Sequence, residues 1–443
     1  MGDLKTIRID AGCILTMNDA QPLLYDHSLV MSGSTIRDLL PTTEASAAKT
    51  DQVFDLKQHA IMPGLINAHG HAAMSLLRGI ANDLPLQEWL EQHIWPAEGA
   101  NVSEDFVRLG TRLAIAEMLK SGTTTFSDMY FFPEAAASEV DEQGIRAQLC
   151  TPILDFPTPW GSGPDEYLSK SKALHERFRN HQRISIALGP HAPYTVSNGA
   201  LKNVCHLAVE RNMAIQMHVH ETQQEVDDAI ALNGKRPIER LADLGLLELG
   251  SAVQAVHMTA LTADEVALMA AKKVHVVHCP ESNMKLASGF CPTQDLLSAG
   301  VNVALGTDGA ASNNDLDMFG EMRTAALIAK GYSGNAAAVP AREALKMATI
   351  NGAKALRLEH KTGSIEIGKQ ADLIALNLSQ LNTVPSYDIE ADIVYNVNSR
   401  QVSHAWVAGE LLLDCGRLTR VNEEELIAQS KLRQKSVLSS KQR

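Results

Sequence analysis

His69 and His71 stand one residue apart at the end of the apolar run Pro63-Gly64-Leu65-Ile66-Asn67-Ala68. Side chains at i and i+2 of a strand share a face, so both imidazoles project into one cavity, where their nitrogens suit Zn or Fe. An isolated H-x-H is a weak signal, because two surface histidines near a turn look the same. Further residues strengthen it. His218 adds a nitrogen in His218-Val219-His220-Glu221-Thr222, and Asp308 adds a carboxylate in Leu305-Gly306-Thr307-Asp308-Gly309. A catalytic zinc site takes about three protein ligands plus water, and carboxylate can join imidazole. Such a cation brings the pKa of water from about 15.7 towards neutrality, which makes a nucleophile available near pH 7. Asp308 is placed to bind the cation or to take a proton from that water. Glu221, three residues after His218, is placed to shuttle protons if partial burial raises its pKa; the bland alternative is an acid at a helix N-terminus. His220 shares the strand periodicity of His218 and is read as pocket lining.

The elements that would position these residues recur along the chain. Eight short apolar runs, Ala60 to Asn67, Thr123 to Met129, Arg146 to Ile153, Ile184 to Gly189, Ala214 to His218, Ala252 to His257, Val274 to His278 and Val301 to Gly306, alternate with helical texture. Val107 to Lys120 and Asp264 to Lys272 are examples, with Thr262 placed to cap the second. Eight β-then-α units predict an α/β fold, a (β/α)8 TIM barrel, whose reactive residues follow the strand C-termini. His69, His71, His191, His218, Glu221, His257, His278 and Asp308 all fall there.

Both chain ends read differently. Thr6 to Met17, Ser28 to Met31 and Thr35 to Leu40 are strand-like, and Ala371 to Asn377, Ile393 to Val397 and Val402 to Asp414, with a turn at Ala408-Gly409, return the texture. The expected domains are a β-sandwich built from residues 1–60 and 363–420, a barrel over 61–362, and a C-terminal helix or tail over 421–443.

With 443 residues, 45% hydrophobic and 21% charged, the chain can bury a large core and has no disordered composition. A net charge of -13 without a basic stripe argues against a nucleic-acid partner. No apolar segment approaches the roughly 20 residues needed to cross a bilayer. Six scattered cysteines without a C-x-x-C pair, and no apolar signal core, predict a cytoplasmic protein with reduced thiols.

These residues together resemble the amidohydrolase superfamily, and within it the 5'-methylthioadenosine/S-adenosylhomocysteine deaminase group. Beyond the runs already quoted, the resemblance is carried by Leu76-Leu77-Arg78-Gly79, Glu88-Trp89-Leu90, Gly189-Pro190-His191-Ala192-Pro193-Tyr194, Ser282-Asn283-Met284-Lys285-Leu286 and Gly309-Ala310-Ala311-Ser312-Asn313-Asn314. It implies one cation per subunit, Zn2+ with Fe2+ as the chemical alternative, on His69, His71, His218 and Asp308. It further implies Glu221 as acid/base and His257 orienting or deprotonating the attacking water. Trp89 would wall a nucleoside pocket, Glu98 would accept hydrogen bonds from ribose hydroxyls, and His191 would assist on the substrate. No role for His278 follows. A homo-oligomer acting on a small-molecule nucleoside is expected. Binuclear relatives use a carboxylated lysine after the fourth strand, and Arg183 to Tyr194 contains none.

The implied reaction is hydrolytic deamination of a 6-aminopurine nucleoside, 5'-methylthioadenosine first, with adenosine and S-adenosylhomocysteine as further candidates. Guanine, cytosine or chlorotriazine hydrolysis is the enzymatic alternative, and a non-catalytic scaffold barrel the other. One departure bears on substrate choice. Group members that take S-adenosylhomocysteine resemble each other in arginines just after the third strand, suited to clamp a carboxylate. Here no arginine occurs between Arg146 and Arg177, and Lys170 or Lys172 is the expected partial substitute.

Overall fold

The computed structural model describes residues 4–45 and 50–440. Eight parallel strands, Leu65–Asn67, Thr123–Met129, Arg146–Ile153, Ile184–Pro190, Ile215–Val219, Val253–His257, His275–His278 and Val303–Leu305, pair in chain order into one sheet. Every residue of seven of these strands is buried, and only Ser185 of the fourth is half-buried. That explains their near-continuous apolar runs, because a parallel sheet is covered on both faces.

The seam between the first and eighth strands is closed by Ala68 N–H on Leu305 O at 2.8 Å and Asp308 N–H on His69 O at 3.1 Å. A Cβ on Gly306 would lie 2.8 Å from the backbone N and O of His69, so only glycine permits this approach. The seam therefore sets His69 beside Asp308, residues 239 positions apart in the chain.

The helices begin where their caps dictate. Thr262 and Glu265 form a reciprocal capping box that starts Ala263–Lys272. Ser103 accepts from Phe106 N to start Glu104–Lys120, and the C-terminal helix Glu423–Ser440 packs against it, with Lys120 Nζ 2.7 Å from Glu423.

The chain ends meet in a nine-stranded mixed sheet of Thr6–Leu15, Leu23–Tyr25, His27–Ser32, Thr35–Pro41, Gln52–Pro63, Leu373–Asn377, Val402–Val407, Glu410–Asp414 and Arg417–Leu418. Gln52–Pro63 joins the halves, parallel to Thr6–Leu15 and antiparallel to Leu373–Asn377. Ile9, Leu29, Met31, Ile61, Leu373 and Trp406 meet in a core of their own. Arg146, at the start of the third barrel strand, makes a buried bidentate pair with Asp372 at 2.7 and 3.0 Å that ties this sheet to the barrel.

Two expected strands differ. The run Ala60 to Asn67 is divided at Pro63-Gly64: its first half ends the outer strand Gln52–Pro63, and only Leu65–Asn67 enters the barrel. Ile393 to Val397 is not a strand. The helix Ile389–Tyr395 occupies most of it, started by Asp388, whose carboxylate accepts from Glu390 N and Ala391 N.

Candidate active site

The three histidines are each held by the same device. His69 Nδ1 donates to Gln216 Oε1 at 2.8 Å, His71 Nδ1 to Met129 O at 2.6 Å, and His218 Nδ1 to His191 O at 2.7 Å. Each bond fixes the tautomer that leaves an Nε2 lone pair pointing inwards, as metal-ligating histidines require. The ligating nitrogens lie within 4.8 Å of one another. His69 Nε2 is 3.2 Å from His218 Nε2 and 3.4 Å from Asp308 Oδ1, and His71 Nε2 is 3.1 Å from the same oxygen. Bonds of about 2.0 Å from one ion to nitrogen or oxygen place tetrahedral neighbours about 3.3 Å apart. These separations match that edge, so the donor set fits a single divalent cation.

Asp308 is held from behind by Ser282 Oγ and Ser312 Oγ, which donate to Oδ2 at 2.7 and 2.9 Å and leave Oδ1 to face the histidines. Its φ of +61°, like the +74° of His257, is a left-handed backbone that the surrounding structure must enforce.

Glu221 faces the same centre. Its backbone N–H donates to Glu225 at 2.8 Å, and the Thr222 hydroxyl caps the helix Gln223–Asn233. Burial pushes its carboxyl up to about 8, with the Asp308 charge adding to the shift. His257 Nε2 is 3.7 Å from Glu221 Oε2, and His257 Nδ1 bonds Asn283 Oδ1 at 2.9 Å.

Above these groups opens a cavity of about 900 Å³, including its mouth, lined by His71, His191, His218, Glu221, His257 and Asp308 at the floor. Its walls are apolar, from Met74, Trp89, Leu90, Ile94, Leu154 and Phe156, and Glu98 is the remaining carboxyl. The wall segment Trp89–Ile94 is a π-helical turn, a local widening that recurs at functional sites. Glu98 accepts from Tyr130 OH at 2.6 Å, and burial pushes its carboxyl up to about 7 against that bond. The Trp89 indole Nε1 is buried without a partner among the described residues. His191 Nδ1 lies 3.0 Å from Thr195 Oγ1, whose proton goes to Ala192 O, so its Nε2 is free to accept.

Trp89, Glu98, His191, Glu221, His257 and Asp308 thus line one cavity with His71 and His218, while His69 lies buried beneath. His220 does not. The strand ends at Val219, and at φ +52° His220 turns away to Ala260 O and Ile238 N, so the two-residue strand period no longer applies. Lys170 and Lys172 are also elsewhere: Lys170 contacts Trp160 O and Glu166, Lys172 contacts Glu210, and no lysine or arginine lines the cavity among the described residues. Tyr130, Gln216, Asn283 and the serines behind Asp308 are the supporting groups that sequence reading did not assign. Gln216 was signalled by its place two residues before His218 on one strand face. His278 is buried, outside the cavity lining, with its Nδ1 unpartnered among the described residues.

No helix is long and apolar enough to cross a membrane among the described residues. Across 92% of its length the chain is 51% identical to a 5-methylthioadenosine/S-adenosylhomocysteine deaminase of Saccharophagus degradans, of which it covers 91%. It is 40% identical to a 5'-deoxyadenosine deaminase of Methanobrevibacter smithii, covering 95% of this chain and 96% of that one. A crystal structure of an adenosine deaminase from Xanthomonas campestris with bound zinc superposes with a TM-score of 0.96 at 44% identity, over 98% of each chain. The Amidohydrolase family model matches residues 60–412, from the end of the outer strand Gln52–Pro63, through the barrel, to the outer strand Glu410–Asp414. A barrel with inward-facing imidazoles and a strand-end aspartate, matched over that span, belongs to the amidohydrolase family.

Proposed function

We propose that the chain hydrolytically deaminates a 6-aminopurine nucleoside, with 5'-methylthioadenosine preferred, to 5'-methylthioinosine and ammonia. The observation that carries this reading is the polarity of the cavity, which has proton-transfer and cation-binding groups at its floor, the Glu98 carboxyl elsewhere on the lining, apolar walls, and no lysine or arginine among the described residues. A purine nucleoside with an uncharged 5' substituent matches that distribution. The relatives whose names cite methylthioadenosine, deoxyadenosine and adenosine support the same substrate class.

His69, His71, His218 and Asp308 would hold one Zn2+, the ion bound in the Xanthomonas relative. When bound it supplies the Lewis acidity that makes water nucleophilic near neutral pH. Glu221, protonated at pH 7 because of its burial, donates to purine N1, which makes C6 electrophilic. His257 Nε2 and Asp308 share one proton of the attacking water. The Glu221 carboxylate left by protonation of N1 takes the second from the new C6 hydroxyl and relays it to the departing amine, and the shared proton then restores Glu221. Trp89 walls the base, while Glu98 accepts from the ribose hydroxyls and His191 Nε2 from the substrate.

Replacing Glu98 by Ala tests the nucleoside assignment. The expected result is a rise in KM for methylthioadenosine of roughly 10- to 100-fold, the equivalent of one or two charge-assisted hydrogen bonds. An unchanged KM in a folded variant contradicts it.

A further inference from the structure

The outer sheet holds a second group of metal-ligating side chains, supplied by segments outside the barrel. His404 lies on Val402–Val407, and Asp414 and Cys415 lie where Glu410–Asp414 turns towards Arg417–Leu418. Their donor atoms lie within 4.8 Å of one another. His404 Nε2 is 3.4 Å from Asp414 Oδ1 and 3.6 Å from Cys415 Sγ.

The nitrogen–oxygen separation is longer than an N–H···O bond of about 2.7 to 3.2 Å. It fits a different geometry. Zinc bonds of about 2.0 Å to nitrogen or oxygen and about 2.3 Å to sulfur place tetrahedral neighbours about 3.3 Å apart for nitrogen and oxygen, and about 3.5 Å apart for nitrogen and sulfur.

The imidazole is oriented for that use. Ser403 O–H donates to Ala375 O at 3.2 Å, and Ser403 Oγ lies 2.8 Å from His404 Nδ1, so Nδ1–H donates to the serine and Nε2 keeps its lone pair. The ring is stacked on Trp406 at 5.5 Å and 9° and meets the edge of Phe54. Without a cation the Nε2 lone pair accepts the Cys415 S–H, and the Asp414 carboxylate beside them supplies negative charge that a cation entering among the three donors would balance. His59 lines the same cleft, its ring centroid 6.3 Å from that of His404, with a buried Nδ1 that has no partner among the described residues.

The backbone adds an independent sign. Asp414 pairs with Arg417 across a two-residue turn in which Cys415 has φ +49° and Gly416 φ +77°. Both central positions of such a turn favour Asn, Asp or Gly. A cysteine there is strained, and the strain delivers its sulfur to His404.

We propose that His404, Asp414 and Cys415 form a second divalent-cation site of zinc type, distinct from the barrel centre, with its fourth corner open to water. Imidazole, carboxylate and thiolate together select zinc over magnesium or calcium.

Of the six cysteines only Cys415 is exposed, so an aromatic disulfide reagent added to the native protein reads this thiol. In protein already carrying its barrel metal, added Zn2+ should suppress the Cys415 reaction, and wild type should bind one ion more per chain than Cys415→Ser. Deamination by Cys415→Ser should stay at the wild-type level, which also reports an intact fold. His404→Asn and Asp414→Asn keep the thiol and should each restore its reactivity in zinc. Their zinc affinity should fall by at least the roughly 10- to 100-fold that loss of an outer partner of a metal ligand costs. A thiol rate indifferent to zinc, equal metal content in wild type and Cys415→Ser, or protection that persists in both His404→Asn and Asp414→Asn overturns the proposal.

Discussion

Glu221 shows how a single residue acquires its chemistry from its surroundings. The Glu225 carboxyl oxygens accept the backbone N–H groups of His220 and Glu221 at 3.1 and 2.8 Å, which fixes where the Glu221 side chain starts. Burial then raises its carboxyl to about 8, so the group carries a proton at pH 7. Glu221→Gln keeps the shape and a hydrogen-bond donor but cannot transfer that proton. Its kcat should fall by at least about 10²-fold, while metal content stays at the wild-type level because the ligand histidines keep their Nδ1 partners. Near-normal turnover in a metal-replete variant would remove Glu221 from its assigned role. Much of this was legible from residue types: His69 and His71 meet as their spacing suggests, although the strand itself ends at Asn67, and the strand period reaches Gln216 from His218. It misleads at His220, where the strand has already ended and a left-handed backbone reverses the side chain. Asn283, Ser282 and Ser312 were not legible as supports, because they come from segments after the strands and no local periodicity aims them at His257 or Asp308.

At the scale of elements, the closing seam of the barrel decides whether the site exists. His69 follows the first strand and Asp308 the eighth, and Gly306 brings them together by leaving no Cβ between the backbones. Gly306→Ala must push the strands apart, since the atoms it meets are backbone. The expected cost is about 1 to 3 kcal/mol of stability, with a loss of metal affinity that exceeds the loss in Tm-matched controls mutated elsewhere in the barrel. Melting curves and metal retention against a chelator measure both, and an unaffected metal affinity would show that the seam does not govern the site. The eight barrel runs were readable because most of the buried parallel strands are short, largely apolar segments that alternate with helical texture, though Thr123–Met129 is rich in Thr and Ser. Ile393 to Val397 has the same β-branched texture, yet the Asp388 cap and burial of Ile393 and Val394 on one side make a helix, so tertiary contact overrides propensity there. The division at Pro63-Gly64 escaped the apolar count because the outer strand and the barrel strand are apolar alike, and only the pairing partner changes.

Over the whole molecule, buried ionisable groups make stability depend on pH. Burial raises Glu98 to about 7, and Glu221 and Glu225 to about 8, from an ordinary value of 4.5. The folded state therefore keeps protons that the unfolded chain releases, and the stability these acids contribute is complete below about pH 4.5 and lost as pH rises through 7 to 8. His191, His275 and His278 act oppositely. Burial depresses them to about 4, 4 and 3, so their contribution is complete above the unfolded value and lost as pH falls below it. Metal-stripped protein should melt at its highest temperature near about pH 6.5 and progressively lower towards pH 8.5; a Tm that rises over that interval contradicts the assignment. The barrel, the joined chain ends and the cavity converge on one substrate class, and the most direct test is ammonia release by zinc-loaded protein given methylthioadenosine, S-adenosylhomocysteine, adenosine and guanine side by side. With no lysine or arginine among the described residues of the cavity wall to clamp a carboxylate tail, kcat/KM for methylthioadenosine should exceed that for S-adenosylhomocysteine by roughly 10-fold or more. Equal or better use of S-adenosylhomocysteine would contradict the pocket argument, and release from guanine alone would contradict the nucleoside assignment itself.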